Sequence, residues 1–178
     1  TFLQEARNVA KPLFEHVGSM PYPELQSMFD ELYCPGLQWY WKGDFVNELS
    51  DEAITEHLNY AEVPTSLSTM HLYPINGAVH NKKATETAWK HRDVNWSMVI
   101  AGVATDPTDT DKIKNWARGL WEATHPYSAG AAYVNFLMKE GDERVKASYG
   151  ENYQRLQKVK AKYDPANFFQ INQNIKPV

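Results

Sequence analysis

Asn95–Ala104 constrains this chain more than any other segment: it carries no charge, and its β-branched and apolar side chains suit a central strand with one covered face. Two more strands can flank it. Gly36–Val46, with Trp39, Tyr40, Trp41 and Phe45, places large aromatic groups where a pleated surface packs them, and Cys34-Pro35-Gly36 supplies its entry turn. Met70–Ile75 is the other. Between and before these strands lie helical patterns: Gln4–Val17, then Tyr22–Leu32 with Leu25, Met28, Phe29 and Leu32 on one stripe. Ser50 caps a helix that Pro64 ends. Thr108 and Asp111 form a capping box for a helix bearing Ile113, Trp116, Ala117, Leu120 and Trp121. Helices and strands mix without a strict βαβ rhythm, which predicts an α+β fold: an antiparallel sheet covered by helices mainly on one face.

The last third changes character. A strand at Ala131–Leu137 leads to a short helix near Glu140–Ser148, then to a helix with Tyr153, Leu156, Val159 and Tyr163 on one stripe. Lys158, Lys160 and Lys162 are read as its solvated face. After Asp164-Pro165 the amide-rich stretch Asn167–Val178 is read as an extended tail that docks on another surface.

Composition narrows the chemistry. With 43% hydrophobic residues in 178, the chain can bury a core. Its 18 basic and 22 acidic residues form no long runs, which argues against nucleic-acid binding. No apolar stretch approaches the roughly 18–20 residues of a membrane span. Thr1-Phe2-Leu3-Gln4-Glu5 lacks a signal pattern and a Met, and is read as the start of an excised segment, soluble and with the cytoplasm favoured. The single cysteine, Cys34, is expected to be a small buried apolar group. The six histidines show no zinc spacing, so no metal is expected. Asp106, Asp109 and Asp111 fail as a calcium loop, because Ala117 stands where a bidentate Glu belongs. No Gly-x-Ser-x-Gly elbow or Gly-rich phosphate loop occurs. Asn95-Trp96-Ser97 is formally a glycosylation acceptor, expected unused inside a strand.

Several landmarks fall in one order: Met20-Pro21-Tyr22, Tyr40-Trp41-Lys42, Leu72-Tyr73-Pro74-Ile75-Asn76-Gly77, Ala84–Asp93 with His91-Arg92, Tyr133-Val134-Asn135-Phe136, Tyr163-Asp164-Pro165 and Gln173-Asn174-Ile175-Lys176-Pro177. Together they resemble the C-terminal half of the berberine-bridge-enzyme-like family of FAD-linked oxidases. The resemblance implies that residues 1–128 are part of a substrate-binding domain. It implies that residues 129–178 are the segment that returns to an N-terminal FAD-binding domain lying outside this chain, which would be its partner.

FAD is thereby the implied cofactor, with Asn135, Gln173 and Asn174 beside it as amide partners. The implied reaction removes a proton from a small-molecule alcohol, sugar or related carbon centre as hydride passes to flavin. The chain departs from its relatives at two positions where some carry proton-transfer groups: Phe136 follows Asn135, and Met98 lies six positions beyond Arg92. Tyr73 and Tyr133 are the remaining catalytic candidates. Trp39, Trp41, Trp89 and Trp96 suggest an aromatic pocket. Without a flavin domain the isolated chain is expected to be inactive, and its bared docking face, on the Tyr133–Phe136 side, to favour self-association. The alternative reading is a redox-silent α+β domain for ligand binding or protein interaction. A hydrolase with a dispersed triad has no motif in its favour.

Overall fold

The computed structural model describes residues 1–178. They form two compact units, Thr1–Pro35 and Gly36–Val178.

The first unit holds helices α1 (Phe2–Val9) and α2 (Tyr22–Ser27) and a 3-10 turn at Asp30–Tyr33. α1 stops well short of Val17. Pro12 lacks an N–H and drives the residue before it out of the helical region, and Ala10 is already extended (φ −158°, ψ 157°). The second expected helix also breaks early, at Ser27, and its stripe residues Leu25, Met28, Phe29 and Leu32 are each about half exposed. The unit buries none of its residues. Cys34 is accordingly exposed rather than buried, because its unit has no core to enter; its thiol points at the Glu31 carbonyl (3.1 Å).

The second unit is built on a three-stranded antiparallel sheet. Strand β1 (Gln38–Val46) is followed by α3 (Asp51–Asn59), capped by Ser50, whose Oγ accepts from the Ala53 N–H (3.2 Å). β2 (Thr69–Pro74) and β3 (Trp96–Ala104) complete the sheet in the order β1-β3-β2, so the most apolar strand is central. Asn95 falls just before β3, exposed, and its side-chain amide donates to the Asn47 carbonyl. α4 (Thr110–Thr124) packs across β1 and β3. Val46, Met98, Ile100, Ala117 and Leu120 form the core between sheet and helix. A Cβ on Gly102 would stand 2.7 Å from the Ile113 carbonyl oxygen, so glycine is what lets helix and strand approach this closely. The expected Thr108–Asp111 box is replaced: Asp106 Oδ1 accepts from the Thr108 N–H (2.8 Å), and a 3-10 turn at Pro107–Asp109 leads into α4.

The other face carries a second core of Phe45, Ile75, Val94 and Ala131, with Trp89 packed against it. Here Ala131–Leu137 is not a strand. Phe45 N–H donates to the Ala131 carbonyl (2.6 Å) and Ala129 N–H to the Phe45 carbonyl (2.8 Å), but Gly130 at φ +74° and a 3-10 turn at Val134–Phe136 carry the chain across the edge of β1 instead of along it. The Trp41 N–H meets Met138 Sδ (3.2 Å) where a strand would offer a carbonyl. α5 (Asp142–Tyr149) and α6 (Asn152–Tyr163) follow. Lys160 is not solvated as expected; it is held by the Asp164 carboxylate and the Phe169 carbonyl at α6's C-terminal end. Val159 and Tyr163 of the expected stripe are exposed. Asp164 also accepts from the N–H groups of Phe168 (2.7 Å) and Phe169 (3.0 Å), which fixes where the irregular tail departs. No helix is long and apolar enough to cross a membrane.

Candidate functional site

The antiparallel register sets Phe45, Ser97 and Tyr73 in one row across β1, β3 and β2. Side chains alternate along a strand, so this row faces away from α4. It forms the floor of a cavity of about 280 Å³, closed by Ile75, Trp89, Tyr133 and Phe136. The lining is almost wholly apolar and contains no carboxylate or imidazole. Tyr73 and Phe136 lie ring to ring at 5.8 Å, and Phe136 meets Tyr133 edge-on at 5.3 Å. Trp89 stands 6.0 Å from Phe45 and 6.4 Å from Tyr133. Tyr73 and Tyr133 are about two-fifths exposed, so both phenols sit at an open mouth.

Both tyrosines singled out from the sequence therefore meet in one place, and Phe136 separates their rings. Met98 points the other way. Its side chain lies in the helix-facing core, with Sδ 3.4 Å from His57 Nε2. The cavity-facing neighbour on β3 is Ser97, which sequence reasoning missed because the facing of a strand is fixed only by its register. Of the four expected tryptophans, Trp89 alone lines the cavity; Trp39 and Trp41 meet each other with tilted rings (5.4 Å), and Trp96 joins the helix-side core.

The turn at Val134–Phe136 also borders a second, polar cavity of about 460 Å³, lined by Val134, Asn135, Leu137, Tyr149, Ile171, Asn172 and Gln173. A 3-10 turn throws successive side chains in different directions, which lets one turn wall off two spaces. Asn135 Nδ2 donates to the Tyr133 hydroxyl (2.9 Å), linking the two sides. Gln173 Nε2 donates to the Leu137 carbonyl (2.6 Å), leaving its side-chain oxygen for a ligand. Asn174 does not line this cavity, but its Oδ1 is buried without a partner. Burial pushes the Tyr149 phenol up, so it stays a neutral hydrogen-bonding group. These amides and phenols fit the edge of a planar heterocycle bearing carbonyls and ring nitrogens. They offer nothing for a pyrophosphate: no glycine-rich loop or cluster of cations borders the space.

Beside the cavities, a charged cluster clasps the C-terminal segment to β1. Asp44, fully buried, accepts from His125 Nδ1 (2.6 Å) and Arg144 Nη2 (3.0 Å), and Lys42 pairs with Glu140. Arg144 also donates to the Gly43 carbonyl (2.8 Å). Lys42 Nζ lies 4.0 Å from the centre of a Trp121 ring, and His125 stacks on that residue at 4.3 Å. Burial raises the Asp44 carboxyl above the ordinary range, against the opposing pull of the His125 hydrogen bond and the Arg144 charge.

Comparison with known proteins adds four findings. Residues 132–176 match the family model described as berberine and berberine like. The chain is 27% identical over 180 residues to an FAD-linked oxidoreductase of Dictyostelium discoideum, covering 99% of this chain and 39% of that protein. It is 34% identical over 110 residues to a carbohydrate oxidase of Microdochium nivale, covering 58% of this chain and 22% of the relative. Among solved structures it resembles BBE-like 1 of Physcomitrella patens, with a TM-score of 0.69 and 26% identity over 77% of this chain and 30% of that one. The chain thus spans at most about two-fifths of these proteins.

Proposed function

Because the chain belongs to the berberine-bridge-enzyme-like family of FAD-linked oxidoreductases, we propose that it is the substrate-binding and C-terminal portion of a flavin-dependent oxidase acting on an alcohol, sugar or related carbon centre. One observation carries this reading: a single turn, Tyr133–Leu137, separates an aromatic cavity bearing two phenols from a polar cavity lined by amides. The first suits a ring-shaped substrate. The second suits the edge of a flavin, which when bound would supply the two-electron acceptor.

In this reading Asn135 and the Gln173 side chain orient the flavin edge, while Asn135 also holds the Tyr133 hydroxyl in place. Tyr73 and Tyr133, the hydroxyl-bearing rings of the aromatic cavity, hydrogen-bond the substrate hydroxyl, and one of the two, present as the phenolate, would take its single proton as hydride leaves for the flavin. Residues 1–128 supply the substrate domain and residues 129–178 the return to the flavin domain. The pyrophosphate is held by that separate domain, so the isolated chain binds FAD weakly and does not turn over.

Titrating the chain with FAD, alone and mixed with a flavin domain of the same family, tests the reading. Tight binding and alcohol-dependent bleaching of flavin absorbance only in the mixture are expected. A folded chain that leaves flavin unchanged in both settings would overturn it in favour of a redox-silent ligand-binding module, the reading that Phe136 at the junction of the cavities favours.

A further inference from the structure

The floor of the aromatic cavity contains one anomaly. Ser97 is 7% exposed, its Oγ is sealed from bulk water, and that oxygen has no hydrogen-bond partner. A buried hydroxyl without a partner is unfavourable and uncommon. A methyl-sized side chain would be the ordinary choice on this surface, since the neighbours in its row are the rings of Phe45 and Tyr73 and the wall continues through Ile75, Trp89 and Phe136. Its small size matters too. Any larger side chain between Phe45 and Tyr73 would fill the hollow that the two rings flank.

Resting on the reading of this cavity as a substrate site, we propose that Ser97 is a specificity-determining residue: its hydroxyl receives a polar group, a hydroxyl or carbonyl, at the inner end of a single-ring substrate whose faces lie against Trp89, Tyr133 and Phe136. At about 280 Å³ the cavity is at the small end of ligand pockets, which run about 300–1,000 Å³, and so takes one ring and not a fused system. The phenols at the mouth engage the opposite end. A site built around a hydroxyl discriminates strongly against an analogue lacking the complementary group, because the buried polar atom then stays unsatisfied.

The test uses benzyl alcohol and toluene, which differ by one hydroxyl, and reads binding to the full chain by calorimetry and ligand-observed NMR. The wild type is expected to prefer benzyl alcohol by about tenfold or more beyond the difference in their partition from water. Ser97→Ala removes that preference and leaves toluene binding intact. Ser97→Thr keeps the hydroxyl and the preference while weakening both ligands, because the added methyl occupies part of the hollow. An undiminished preference in Ser97→Ala overturns the proposal, as does a wild type that binds neither probe. Flavin titration of the same samples after mixing with the flavin domain reports the enclosing reading separately: a wild type that couples to flavin in the mixture yet ignores Ser97 loses this inference alone.

Discussion

Asp44 has no accessible surface, and two donors converge on its carboxylate. Removing it leaves Arg144 and His125 facing a void, so Asp44→Ala should lower unfolding free energy by about 3–5 kcal/mol in chemical denaturation. His91 has the opposite kind of pH response to a surface histidine. Burial holds it below 6.5, with Nε2 near the Ala147 carbonyl (3.2 Å) and its ring 4.8 Å from Phe45. The unfolded chain therefore binds the proton more readily, so stability is fully present above pH 6.5 and is lost as pH falls through the folded value. His91→Phe should flatten the slope of melting temperature between pH 7 and 5. For Asp44 the sign reverses: a raised carboxyl favours folding while protonated, and that contribution shrinks as pH climbs above the ordinary carboxylate value. At the mouth of the cavity, Tyr73→Phe or Tyr133→Phe in the flavin-complemented enzyme should cut kcat by about 10²–10⁴-fold with little change in KM.

Among elements, the contact of α4 with β3 depends on a missing side chain. Gly102→Ala puts a methyl group 2.7 Å from the Ile113 carbonyl and 2.9 Å from its Cβ. Backbone cannot yield as a flexible side chain can, so a loss of about 1–3 kcal/mol is expected in thermal or urea melts. The three strands, the Ser50 cap and α4 could be read from the sequence because hydrophobic period and cap chemistry are local signals. Ala131–Leu137 misled because its apolar content suits a strand, while pairing depends on whether a free strand edge lies alongside; here Gly130 turns the segment over β1 and Phe136 packs 3.0 Å from where a Gly43 Cβ would be. Tyr73 and Tyr133 could be singled out through family landmarks, but not the one cavity that joins them. Ser97 and the Asp44 cluster could not be, since register and partners 81 and 100 residues away leave no local trace.

At the scale of the whole molecule, all of the core lies in Gly36–Val178. Amide exchange should therefore be slowest in β3 and close to unprotected through Thr1–Pro35, a contrast that mass spectrometry of peptic fragments would show directly. A uniform protection pattern would contradict the division. The clasp around Asp44 also sets a schedule for biosynthesis. On a ribosome that adds about 5–20 residues per second, β1 emerges long before Arg144, which follows Asp44 by 100 residues. For those several seconds the carboxylate keeps its hydration and the edge of β1 its open hydrogen bonds, so this unit cannot close as a nascent chain from its first strands. It must wait for its end, and a ribosome that stalls before residue 144 releases a sheet without its clasp, in the form that chaperones and proteases recognise.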